Sequence, residues 1–75
     1  MIKAITLNSP EEVRKVSEIA SEQPFDVHIS CGHLILDAKS LLALFALIGR
    51  KNVYLVAPDH LKASKFFEVI KQMGF

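Results

Sequence analysis

The stretch Phe25-Asp26-Val27-His28-Ile29-Ser30-Cys31-Gly32-His33-Leu34-Ile35-Leu36-Asp37 decides the fold. Val27 and Ile29 alternate with His28 and Ser30, the period of a strand with one buried and one wet face. Gly32 marks a tight turn, and His33 to Asp37 is again rich in β-forming residues. The reading is a hairpin with strands over 25–31 and 33–37, paired antiparallel. A helix follows at once. Ser40 is a natural N-cap, Leu41 to Ile48 is almost wholly apolar, and Gly49 is the stop. Asn52 to Val56 then forms another dense β run.

Outward toward the N-terminus, Ile2 to Leu7 reads as a strand. Asn8-Ser9-Pro10-Glu11-Glu12 carries a helix start: Ser9 as N-cap, Pro10 at the first helical position and Glu12 closing a Ser-x-x-Glu capping box. Val13, Val16, Ile19 and Ala20 recur at helical spacing, with Arg14, Lys15 and Glu18 on the other side. Pro24 sets the end near Glu22 or Gln23. Toward the C-terminus, Ala57-Pro58-Asp59 opens a last helix. Ala63, Phe66, Phe67, Ile70 and Met73 share one face of it, and Lys62, Lys65, Glu68 and Lys71 the other. The order is β-α-β-β-α-β-α. It predicts an α+β fold, an open-faced β-sandwich with a four-stranded, mostly antiparallel sheet and three helices on one face. The fourth strand is expected between the first and second, as in a split βαβ unit.

The chain of 75 residues is one domain by size and shows no repeat, linker or low-complexity segment. With 51% hydrophobic residues, a domain this small must use most of its apolar side chains for packing, so each is read first as core. A net charge of +1 with scattered charges lacks the basic stripe of a nucleic-acid binder. Cys31 is the single cysteine. Without disulfides, and without a signal-peptide pattern in Met1 to Leu7, the expectation is a cytoplasmic protein that does not insert in membranes.

The run Asp37-Ala38-Lys39-Ser40-Leu41-Leu42-Ala43-Leu44, together with the element order, resembles the histidine-containing phosphocarrier (HPr) family of the bacterial sugar phosphotransferase system. That family carries a Gly-Leu/Ile-His-Ala-Arg-Pro motif where its first strand meets its first helix. Its histidine takes phosphate at the helix N-terminus, where free N–H groups and the positive dipole end stabilise the anion, and the arginine adds a charge-assisted contact. In this chain the junction reads Leu7-Asn8-Ser9-Pro10-Glu11-Glu12. Ser9 matches the position of the phosphocarrier histidine and Glu11 that of the arginine. Two acids in the first turn suit the helix and repel a phosphate. A hydroxyl cannot replace imidazole, because phosphoserine lacks the transfer potential of phosphohistidine.

The resemblance therefore implies a protein with a degenerate active site, acting by protein–protein binding or regulation and not as an enzyme. Ser40 matches the serine that a regulatory kinase modifies in some HPr proteins, and a phosphate at a helix N-cap would meet free N–H groups; the plain alternative is that Ser40 is only a cap. Leu41, Leu42 and Phe45 lie on a helix too apolar to bury every face, so they are candidates for docking a partner, with Arg50 and Lys51 as a basic rim; core packing and a homodimer interface are the alternatives. His28, Cys31 and His33 have the look of a metal cluster, but alternation sends His28 and Cys31 to opposite faces and no acid completes the set. No metal and no cofactor are expected. His60, beside Asp59, has no nucleophile near it in sequence, and no Ser-His-Asp set, P-loop or dinucleotide fingerprint occurs.

Two rival readings stand beside this one. A working phosphocarrier would need another histidine, His33 or His60. A regulatory domain of the sulfate-transporter/anti-sigma-antagonist (STAS) type would place a phosphorylatable serine, here Ser40, after a strand ending in Asp37; that reading calls for parallel later strands.

Overall fold

The computed structural model describes every residue except His60 and the side chain of Leu61. Its elements are β1 (Ile2–Ile5), α1 (Pro10–Ser21), β2 (His28–Cys31), β3 (Leu34–Asp37), α2 (Leu41–Phe45), β4 (Val53–Val56) and α3 (Leu61–Gln72). The four strands form one sheet in the order β1-β4-β2-β3. All neighbouring pairs are antiparallel. The fourth strand thus lies between the first and second, as the element order predicts.

Register assigns the faces. Ile5, Val53 and Cys31 lie in one row across the sheet, and Leu55 and Ile29 in another. Both rows point to the same side, because side chains alternate along a strand. That side meets Val13, Val16 and Ala20 of α1, Leu44 of α2, and Ala63, Phe66, Phe67 and Ile70 of α3 in one buried cluster. Phe66 anchors it, with edge-to-face contacts to Phe25 at 6.2 Å and Phe67 at 5.4 Å between ring centroids. The apolar stripes on α1 and α3 are therefore core, as their spacing indicates. The other sheet face carries Ile2, Ala4, Tyr54, Val56, His28, Ser30, Ile35 and Asp37 and belongs to no buried cluster.

Several boundaries are shorter than the sequence suggests. β1 stops at Ile5 because its partner begins only at Val53: Asn52 sits at φ 59°, a left-handed turn that ends the extended run. Leu7 is still fully buried, as a loop residue. β2 begins at His28, not Phe25, because β4 ends at Val56 and Pro58 has no N–H with which to extend the ladder. His33 belongs to the turn: Cys31 pairs with Leu34 across a Gly32-His33 loop, and Gly32 takes φ 60°, the position a type II′ turn reserves for glycine. α2 is five residues long and ends at Phe45, short of the Gly49 stop. Beyond Phe45 the chain continues in i→i−3 turns through Leu47, Ile48 and Arg50, and Gly49, at φ 77°, turns its N–H to the Leu7 carbonyl at 2.8 Å. α3 starts at Leu61, leaving Ala57, Pro58 and Asp59 ahead of it.

Not every apolar residue is core. Ile2 is 70% exposed, Ile35 71% and Leu42 84%, with Leu34, Leu41, Tyr54 and Val69 also outside. A thin domain with one covered sheet face has too little interior to take them all.

Candidate functional site

The start of α1 is built as a cap. Ser9 is extended, and its Oγ accepts from the Glu12 N–H at 3.2 Å. Glu12 Oε1 reaches back one residue further than in the usual box and accepts from the Asn8 N–H at 2.7 Å. One of the free N–H groups at the helix tip, that of Glu12, is thus used by the Ser9 hydroxyl, and the Glu12 carboxylate lies beside it on the Asn8 N–H. A cleft of about 290 Å³ runs beside this tip, lined by Thr6, Asn8, Glu12, Asn52 and Tyr54 among others, with no cation in its wall. An anion entering it meets Glu12 and no positive side chain.

Neither described histidine reaches this place. His28 lies in the row with Ile2 and Val56, at the opposite end of the sheet from the Ile5 row that leads into α1. His33 is at the same end as α1, but in the β2–β3 turn, with β4 and β2 between it and β1. At roughly 4.8 Å per strand that separation exceeds any hydrogen bond. His28 and Cys31 fall on opposite faces, as alternation predicts. Cys31 is buried, and its thiol lies 3.7 Å from the Lys51 carbonyl. His60 lies outside the described residues.

Ser40 is the N-cap of α2. Its Oγ accepts from the Ala43 N–H at 3.4 Å, and its own N–H donates to the Asp37 carbonyl at 3.0 Å. Asp37 Oδ1 accepts from the Lys39 N–H at 2.9 Å, tightening the turn between β3 and α2. Lys39 is the cation next to Ser40, but its Nζ donates to the Gln23 carbonyl at 3.1 Å. A phosphate on Ser40 would compete for it with the end of α1.

On α2, Leu44 is fully buried and Phe45 is half-buried against the core, while Leu41 and Leu42 face outward, Leu42 at 84% exposure. Phe45 is therefore mainly a packing residue, and the outward apolar surface is Leu41 with Leu42. Arg50 and Lys51 are exposed, but they follow Gly49, which is bonded to Leu7. The basic pair thus stands beside the α1 junction, at the far end of the α2 segment from the two leucines.

One structural residue escapes a reading from sequence pattern alone. Ser17 is buried, and its Oγ donates to the Lys39 carbonyl at 3.2 Å. With the Lys39–Gln23 bond it staples α1 to the entry of α2. Its signal was its place one helical turn after Val13, on the apolar stripe. Compared with known proteins, the chain matches no family model, no curated protein and no solved structure.

Proposed function

We propose that this chain is an HPr-like protein that does not carry phosphate on a histidine and acts by binding a protein partner in the regulation of sugar uptake or carbon metabolism. The observation that carries the reading is the outward surface of the α2 segment, apolar where it begins and basic where it ends beside the start of α1. Ser9, Glu11 and Glu12 head α1; Arg50 and Lys51 follow the Gly49–Leu7 bond; and Leu41 and Leu42 stand outward on α2. The strand order β1-β4-β2-β3 supports the resemblance on which the reading rests. A STAS-like domain calls for parallel later strands, whereas β4 runs antiparallel to both of its neighbours.

The test is incubation with enzyme I and phosphoenolpyruvate, read by intact mass, and titration of the chain with enzyme I by calorimetry. The expected result is association without gain of a phosphoryl group, weakened about tenfold or more by Leu42→Asp if these leucines are the buried anchor. Acid-labile phosphate on the chain overturns the non-carrier reading, and replacing His28, His33 and His60 in turn then locates it. Unchanged binding by Leu42→Asp removes α2 from the interface.

A further inference from the structure

The two edges of the sheet are not alike. β1 places Lys3 in mid-strand, in register with Leu55 and so turned toward the core side. An inward charge on an edge strand is a common guard against pairing with another chain. β3, the other edge, reads Leu34-Ile35-Leu36-Asp37. It has no lysine and no proline, and Ile35 is 71% exposed.

The hydrogen-bonding sense of β3 follows from its turn. A two-residue loop makes Cys31 and Leu34 a bonded pair, and bonded pairs then alternate. Leu36 with Ile29 is the next, and the Ala38 N–H donates to the Val27 carbonyl at 2.9 Å, in the same phase. Leu34, Leu36 and Ala38 therefore turn their backbone groups to β2. Ile35 and Asp37 turn theirs to the open edge, with His33 in the turn before them.

We infer that β3 pairs antiparallel with β3 of a second copy, about a two-fold axis at Ile35, to form a continuous eight-stranded sheet. In that register Ile35 faces Ile35 of the second copy and the two exchange both backbone bonds. Leu34 lies across from Leu36 on the helix side. His33, in the turn, falls across from Asp37 in that register, an imidazole donor within reach of a carboxylate, and the two-fold repeats the pair. The nearest alternative, with the axis at Leu36, sets the Asp37 carboxylate opposite Ile35 and His33 opposite Lys39; it loses both the apolar match and the donor–acceptor match. The sequence of this edge is thus complementary to itself, which is what a two-fold interface requires. The edge is short, so the contact falls in the weak, concentration-dependent class. It does not depend on the role given to α2.

Light scattering from about 10 μM to about 1 mM, with amide hydrogen exchange at both ends of that range, tests the pairing. The mass is expected to rise toward the dimer, with Ile35 and Asp37 amides gaining protection as it does. Ile35→Lys, at an exposed position, is expected to stay monomeric with an unchanged circular dichroism spectrum. His33→Asp sets like charges in both symmetry-related pairs and is expected to raise the Kd roughly tenfold, while His33→Lys keeps the dimer. A monomer at every concentration overturns the inference. So does a dimer that survives Ile35→Lys, or one abolished by Leu42→Asp with no change in the exchange of the β3 amides.

Discussion

At the scale of single residues, Ser9 shows how a helix cap is assembled from its neighbours. Its hydroxyl holds the Glu12 N–H, and Glu12 holds the Asn8 N–H. The helix tip is thus capped in part by the chain itself. Ser9→Ala is expected to cost about 1 kcal/mol, the ordinary loss of an N-cap, measured by urea denaturation at constant m-value. Its effect belongs to stability, since no transfer chemistry is assigned to the hydroxyl. The capping pattern was legible in Ser9-Pro10-Glu11-Glu12 because capping is local. The exact reach of Glu12, to Asn8 and not to Ser9, was not, because it depends on how the chain leaves β1.

At the scale of elements, α2 has a covered side and an outward side along its few residues. Leu44 is buried and Leu42 is 84% exposed. Leu44→Ala is expected to cost about 2–5 kcal/mol, and Leu42→Asp to change stability by no more than about 0.5 kcal/mol, both read from thermal unfolding. Equal costs would mean that α2 is packed on both sides. The apolar run from Leu41 to Ile48 announces a helix but cannot say which leucines are covered. That assignment comes from α1 and β3, against which α2 packs. The length of α2 escapes the sequence pattern for a related reason. Gly49 does not merely stop a helix; its N–H is drawn to Leu7, and the preceding turns tighten to allow it. The hairpin, by contrast, is legible at its turn, where Gly32 supplies the positive φ, but not in where β2 and β3 begin.

At the scale of the whole molecule, the protein has one layer of helices on one sheet face and little reserve. A domain of this size holds about 3–5 kcal/mol of net stability, and removing the Phe66 ring, buried at the centre and touching Phe25 and Phe67, costs about 3–5 kcal/mol. Phe66→Ala is therefore expected to leave the chain largely unfolded at room temperature by circular dichroism. Cys31 offers an independent reading: it is buried on the inner face, so its thiol is expected to react with an aromatic disulfide reagent only as fast as the domain opens. Reaction at the rate of a free thiol in native buffer would show that this corner of the core is open. Among the described residues no helix is long and apolar enough to cross a membrane.

The order of elements, the cap of α1, the hairpin turn and the buried stripes of α1 and α3 were determined by the sequence alone, because each rests on neighbours within a few positions and on a period that the chain itself displays. Tertiary structure alone decided which apolar residues remain outside. Ile2, Ile35 and Leu42 look like core in one dimension, but a sheet covered on one side has no second interior to offer them. It also decided the separation of His28 and His33 from the α1 tip and the difference between the two sheet edges, since strand order, not spacing along the chain, sets how far apart such groups lie.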